Sequence, residues 1–546
     1  MTALPALPLA AGPAGTGDRA MMLVAFLAFI GLSLLLCVLA GPETDRAAEF
    51  YTGDRSLSPF QNSLALTGDY ISAATLLGSC GLVALAGQDG VTATVSTCLA
   101  VGGFLLLARP LRHAGRYTLG DVLALRAPGA AARIAAATAT LAFCVPFLVV
   151  QLSGAGQATA LLIGLPRPGA QQVCTVFIGV VMICFAVLGG MKGTSLVQIL
   201  KVAVVFTTMT ALAVLVLAHY DWSPNALLQA AAAGSGRADG YFEPGQAMGD
   251  SLTGRLDFLS LQLSIVLGGG CMPHIVMRVN SAADGAAARR AARHTVVLVC
   301  VYSLFVVIAG LGAAGVVGGA AIGSADPNGQ AALMLLADAL EGDTSGLGGS
   351  VLFTAVACTV FVTVLAVVAG ITLTAAAALA HDVHAEAVRG GSLSAGREIR
   401  TARWAAVAVG ALGIGLAVAV QGRDLQSLVQ LSLTLSGATV LPACLYSLFW
   451  SRYNRTGLQW TVYGGLVATL AVYVSSAAFT GTPASLLPDA DVHWIGLRST
   501  GLIAIPLGFA LGLLGSRVGR RPNTAEETAA GRPAWRRRVL TGAGAD

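Results

Sequence analysis

Charge is scarce in this chain. Only 11% of its 546 residues are Asp, Glu, Lys or Arg, where soluble domains run near a quarter. Aromatic residues make up 6%, apolar residues reach 55%, and mean hydropathy is +0.76. These figures exclude a water-soluble globular fold, and the chain is expected to be an all-α integral membrane protein. Its ten cysteines (Cys37, Cys80, Cys98, Cys144, Cys174, Cys184, Cys271, Cys300, Cys358 and Cys444) are scattered singly, with no CxxC, and read as small buried hydrophobes. There is no HExxH, no pair of catalytic aspartates and no Ser/His pair at workable depth, so an intramembrane hydrolase is not expected and the chain is read as no enzyme. His381 and His384 have the spacing of a metal pair but no Cys or Glu in register, so no metal site is expected apart from one for sodium. The longest non-apolar stretches, near 219–252, 381–403 and after Ser516, are too short to hold an independent core.

What is present is a succession of long apolar runs. Thirteen are long enough to span, near 21–41, 60–87, 91–109, 131–163, 171–190, 194–218, 253–276, 295–319, 348–380, 402–420, 426–449, 457–479 and 497–515. The 67 glycines, with abundant alanine, suit close helix contact in lipid. Threading the runs alternately, with the N-terminus outside, places 25 of the 32 Lys and Arg residues inside and 5 outside, with Lys201 and Arg255 in or near spans. The positive-inside rule therefore predicts a multi-pass protein of the cell membrane with a basic cytoplasmic C-terminus. Residues 1–20 carry no basic n-region and are read as an external tail rather than a signal peptide. Residues 21–515 form the membrane domain, with core spans over about 60–449, and 516–546 a basic tail, read as solvated, with contact to anionic lipid headgroups as the alternative. Segment 113–129 reads as a short interfacial helix. No nucleic-acid partner is expected.

Two runs are interrupted. Leu64 to Thr75 contains Thr67, Gly68, Asp69, Tyr70, Ser72 and Thr75, groups that lipid cannot satisfy and that must face protein or a wet cavity. Gly268-Gly269-Gly270 interrupts the seventh run. The two starting points are five spans apart, the arrangement of paired broken helices in two inverted five-helix halves of a transporter.

The segment Phe50-Tyr51-Thr52-Gly53-Asp54-Arg55-Ser56-Leu57-Ser58, followed by Gly68-Asp69-Tyr70-Ile71-Ser72-Ala73-Ala74, resembles the sodium:solute symporter family. More narrowly, it is similar to the acetate permease and monocarboxylate transporter branch. Further pieces lie in order along the chain: Arg112 to Thr118, Gln151 to Gly156, Gly189-Gly190-Met191 with Val197 to Lys201, Met272-Pro273-His274 to Arg278, and Leu365 to Gly370 through His381-Asp382. The resemblance spans about residues 45–455. It implies about thirteen transmembrane helices, ten of them, spans two to eleven, forming a leucine-transporter-like 5+5 inverted-repeat core. It also implies import of a small monocarboxylate such as acetate, propionate, pyruvate or glyoxylate, by symport with Na+ or H+ through alternating access. The alternative within the family is another small solute such as proline, urea or pantothenate. No cofactor beyond the coupling ion is implied.

A carboxylate needs donors, and the unwound parts of spans two and seven offer free backbone N–H groups and half-helix N-termini. The substrate-binding candidates are Tyr70, Gln151, Gly268, Gly269 and Gly270. For the cation, the resemblance implies carbonyls of Gly68 and Ile71 with two hydroxyls of the ninth span. Those hydroxyl positions fall here on Ala366 and Val367, which have no oxygen side chain, so Asp69, Ser72 and Thr363 are the substitute ligands. Lys201 stands inside the sixth span where the family usually has glutamine, and Gln198 replaces a family aspartate. One reading makes Lys201 a stand-in for sodium and proton carrier paired with Asp69. The other lets it snorkel to the cytoplasmic face, about 13 Å along the helix to Lys192. His274 and Arg278, four apart and so on one helix face, are inner-gate candidates, or else simply mark a positive helix end.

Overall fold

The computed structural model describes residues 16–42, 46–162, 167–249, 251–342, 351–421, 423, 425–482, 485–519 and 534–542. The expected external tail lies outside these residues up to position 15, and residues 16–20 already belong to the first helix. Apolar runs without strand alternation fold as helices, because only a helix satisfies its own backbone in lipid. In chain order they are α1 (Thr16–Leu39), α2 (Pro59–Tyr70), α3 (Ser79–Ala86), α4 (Gln88–Ala114), α5 (Leu119–Ala124), α6 (Ala130–Leu162), α7 (Pro168–His219) and α8 (Leu252–Leu263). There follow α9 (Pro273–Val279), α10 (Gly285–Val316), α11 (Val351–Val388), α12 (Ala395–Ala419), α13 (Gln426–Phe449), α14 (Arg455–Val474), α15 (Gly501–Val518) and α16 (Ala534–Thr541).

Among the described residues, ten helices are each long and apolar enough to cross a membrane, and the α2–α3 pair, bent by 67°, makes an eleventh crossing. Helix α7 has 52 residues, about 78 Å at 1.5 Å per residue, more than twice the hydrocarbon thickness of about 30 Å. Gly190, at φ 52° and ψ −156°, folds it into two crossings with no loop between them. With α7 taken as two and the shorter apolar helix α1 included, the described residues give about thirteen crossings, in the order expected from the sequence.

The two interrupted runs break as expected. α2 ends at Tyr70, and the chain resumes after an extended Ile71. The seventh crossing breaks between a π turn at Ser264–Gly268 and the start of α9 at Pro273. Both breaks are packed inside the bundle. Helix α11, buried along almost its whole length beyond Val356, packs against α6 and α7. The loop after α7 folds back over α3: Tyr241 Oη donates to Val83 O at 2.6 Å, and buried Asp89 accepts from the N–H groups of Gly245 and Ala247.

At the arginine-rich face, the segment expected to be interfacial contains α5, whose Leu119, Val122 and Leu123 are buried rather than lying on the surface. Asp121 accepts from the Tyr117 and Thr118 N–H groups at 2.6 and 3.1 Å and from Arg133 at 2.5 Å. Asp382 accepts from Thr118 Oγ1 at 2.6 Å and from the same guanidinium at 3.0 Å. His381 lies between Glu398, at 2.8 Å, and Asp121, at 3.4 Å. The network ties α5, α6, α11 and α12 together. Ligand-type atoms of Asp121, His381 and Asp382 lie within 4.8 Å of one another, and the Arg133 guanidinium supplies the cation among them.

Burial alone would raise the Asp121 carboxyl, but the His381 hydrogen bond, with the charges of His381 and Arg133, holds it well below the usual carboxylate range. A group depressed in the folded state stabilises it above the unfolded pKa, about 3.9, and loses that contribution as pH falls further. Asp121→Asn breaks a buried pair and is expected to cost about 3–5 kcal/mol at pH 7. Thermal unfolding in detergent, followed as a function of pH, should show the gap to wild type shrinking below about pH 4.

Candidate functional site

A helix broken in lipid leaves carbonyls and N–H groups without intrahelical partners. At the first break they are met one by one. Thr75 Oγ1 accepts from Ser72 N at 2.8 Å and donates to Tyr70 O at 3.1 Å, while Ser72 Oγ accepts from Thr75 N at 3.3 Å. This Ser-x-x-Thr exchange starts the second half-helix as an N-cap does. The carbonyls of Gly68 and Ile71 both accept from Lys201 Nζ, the second at 2.8 Å. Lys201 is fully buried, so the snorkelling expectation fails. The α7 helix carries it too close to the break for any route to the surface. That closeness also requires Gly68, since a Cβ there would stand 2.5 Å from Gln198 Oε1.

Asp69 does not pair with Lys201 as expected. Its carboxylate accepts from the Arg278 guanidinium through Nε and, at 3.4 Å, Nη2, and from Gln198 Nε2 at 2.7 Å. Arg278 Nη1 donates to Ser195 Oγ at 2.6 Å. Arg278 is buried, not a solvated helix end, and its ion pair joins the two broken crossings, α2 to α9. The physical reason is geometry: the ammonium is held at two carbonyls, and the carboxylate goes to the forked guanidinium, which suits it better.

At the second break Ser436 Oγ donates to Gly268 O at 2.9 Å and to Cys271 O at 3.2 Å. Tyr70 Oη donates to Gly269 O at 3.2 Å, which brings the two breaks together. Gly268 lies pressed on α13, where a Cβ would meet Leu433 O at 2.0 Å.

Between the breaks lies a cavity of about 120 Å³. Tyr70 and Gly269, two of the substrate-binding candidates, line it, and so do Asp69 and Ser72, which the sequence suggested as cation ligands. Ser72, Thr75 and the start of the second half-helix at Ala74 make a donor-rich wall, and Gln426 and Gln430 line it from α13. Ala100, Phe147, Ile265 and Met272 make the apolar remainder. Every lining residue of the broken crossings lies at the break or on the side away from the arginine-rich face. Among the described residues no Lys or Arg lines the cavity, and the one carboxylate, Asp69, is already neutralised by Arg278.

Other candidates sit elsewhere. Gln151 is fully buried one turn beyond Phe147, and its amide has no hydrogen-bond partner among the described residues. Gly268 and Gly270 belong to the backbone of the break rather than the cavity wall. Thr363 Oγ1 donates to Thr359 O at 2.7 Å, in its own helix. His274 is stacked against Phe143 and Phe147, with ring centroids 5.5 and 6.4 Å away. Thr75, singled out in the sequence only as a polar residue of the break, joins the wall, whereas Gln426 and Gln430 were not anticipated. Two amides four residues apart opening an apolar run were the available signal, since that spacing sets them on one face.

Comparison with known proteins agrees with this architecture. A family model, the sodium:solute symporter family, matches residues 50–466. A monocarboxylic acid transporter of Corynebacterium glutamicum is 34% identical over 97% of this chain and 97% of its own length. An uncharacterised symporter of Bacillus subtilis, YwcA, is 35% identical over 92% and 95%. Among solved structures, an outward-open, substrate-bound Na+-coupled sialic acid symporter superposes with a TM-score of 0.69 over 93% of this chain and 98% of that one, at 12% identity. Mhp1, a nucleobase-cation-symport-1 family transporter, gives 0.54 over 86% and 94%. The fold is therefore the leucine-transporter-like one, and with a family model covering most of its length the chain belongs to the sodium:solute symporter family.

Proposed function

We propose that this protein imports a small monocarboxylate, of the size of acetate, propionate, pyruvate or glyoxylate, across the cell membrane together with a proton carried on Lys201. The arginine-rich face is cytoplasmic in this reading, and the cavity between the breaks opens from outside. The observation that carries the coupling is the position of Lys201: its ammonium donates to Gly68 O and Ile71 O, the two carbonyls freed by the break. A hard cation would need those oxygens and hydroxyls besides, and Ala366 and Val367 bring none.

Size supports the substrate class. An apolar cavity of about 150 Å³ takes benzene, a six-heavy-atom molecule. At about 120 Å³ this one suits a two- or three-carbon acid and is too small for pantothenate. The name of the Corynebacterium glutamicum relative agrees with that class. The carboxylate is received by the Ser72 and Thr75 hydroxyls and the first N–H groups of the half-helix at Ala74, where the helix dipole favours an anion.

Charge balance then links the two cargoes. Asp69 and Arg278 cancel one another, which leaves Lys201 and the substrate to decide the net charge of the site. A protonated lysine with a bound carboxylate is neutral overall, as is an unprotonated lysine with an empty cavity. Either one alone leaves an uncompensated charge in the bundle, which costs several kcal/mol. Crossing is thus favoured with both or neither, which is the thermodynamic condition for symport. Closing the cavity and opening the opposite side then requires the two broken crossings, joined by Asp69–Arg278 and Tyr70–Gly269, to tilt together.

Radiolabelled acetate uptake into proteoliposomes tests this. A proton gradient without sodium is expected to drive accumulation, and a sodium gradient without a proton gradient is expected to drive none; the reverse result would overturn proton coupling. Lys201→Met removes the proton carrier, and gradient-driven accumulation is expected to fall at least tenfold while the purified variant stays monodisperse. Uptake with unchanged rate and unchanged pH dependence in that variant would sink the role given to Lys201.

A further inference from the structure

The short helix α16 near the C-terminus does not float in solvent. Its Trp535 and Val539, four residues apart and so on one face, are buried, while Arg536 and Arg537 point outward. The Trp535 ring lies against the Arg126 guanidinium, 4.3 Å from its centroid. His113 Nδ1 lies 2.9 Å from Val539 O, and Arg538 Nε donates to His113 O at 3.1 Å. The helix is therefore held by packing and hydrogen bonding together.

The two surfaces it touches belong to different parts of the bundle. His113 is in the last turn of α4, and the neighbouring Arg112 donates to Ala282 O at 2.7 Å and Ala283 O at 3.0 Å, in the turn between α9 and α10. α4 packs along α3, α9 and α10, so it is bound to halves of both broken crossings. Arg126 lies after α5, and its Nη2 donates to Ser451 O and, at 3.3 Å, Tyr453 O in the turn between α13 and α14. α16 also packs on the second half of α13. One small helix thus spans from the group carrying the broken crossings to the group that faces it.

We propose that α16 is a clip across this seam on the arginine-rich side. Docked, it holds α4 to the α5–α6 turn and α13, and keeps the seam shut. This side opens when Trp535 and Val539 leave their seats, so the clip sets the rate of the opening step. The inference rests on the alternating-access reading of the site.

The experiment uses the full chain carrying Trp535→Ala with Val539→Asp, beside Trp535→Phe, which keeps a ring over Arg126, and Arg536→Ala on the exposed face. Two readouts are taken: initial acetate uptake in proteoliposomes, and amide hydrogen exchange over residues 280–284. The double variant is expected to raise initial uptake at least twofold and to speed exchange over 280–284, with the other two variants close to wild type. Uptake unchanged or slowed in the double variant, or exchange unchanged, overturns the clip. If wild type takes up no acetate, the substrate reading fails, and the exchange result, which needs no substrate, still decides whether α16 holds the seam.

Discussion

A helix that stops in the middle of a membrane must have its loose backbone groups satisfied by the protein, because the surroundings offer nothing. Much of this molecule follows from how that requirement is met. At the first break the carbonyls of Gly68 and Ile71 are met by an ammonium on α7, and at the second those of Gly268 and Cys271 by a hydroxyl on α13. The asymmetry matters. A serine is neutral and permanent, whereas an ammonium carries a charge that leaves with its proton. One break is thus fixed by ordinary hydrogen bonding, and the other by a group whose hold depends on its protonation.

The rest of the site cancels the one charge on the cavity wall. Arg278 reaches Asp69 from α9, Gln198 completes the carboxylate, and the cavity is left with hydroxyls, amides and a half-helix terminus. Such a wall can hold a small anion without trapping it, since neutral donors bind less tightly than a desolvated guanidinium would. Strong ion pairing is concentrated instead around Arg133 at the arginine-rich face, where Asp121 and Asp382 bind α5, α6 and α11 into one block.

The fold was legible because its signals are local. Apolar runs mark crossings, and Gly68-Asp69-Tyr70 and Gly268-Gly269-Gly270 mark breaks, each within a few residues. A lysine within an apolar run was legible as an anomaly, and one reading set it in the cation's place at Gly68 and Ile71; the choice against snorkelling was not legible, because those carbonyls lie 133 and 130 residues away. The reading that paired Asp69 with Lys201 failed for the same reason: the sequence offers several bases, and only packing chooses Arg278. Gln426 and Gln430 read as the edge of a span, since nothing local shows which face of α13 meets the cavity. The last helix was hidden by its arginines, which read as a solvated tail while Trp535 and Val539 supply the contact.

The Asp69–Arg278 pair also sets a condition on how the protein is made. The two residues are 209 positions apart, and the acidic member is synthesised first. At about 5–20 residues per second, some 10–40 s separate their emergence from the ribosome. During that interval the first broken crossing has neither its guanidinium nor, until α7 follows, its lysine. A carboxylate held in hydrocarbon for so long must either take up a proton or stay in the wet interior of the insertion machinery. Unless that carboxylate takes up a proton, release of the first half of the chain into lipid therefore waits for the arrival of α9.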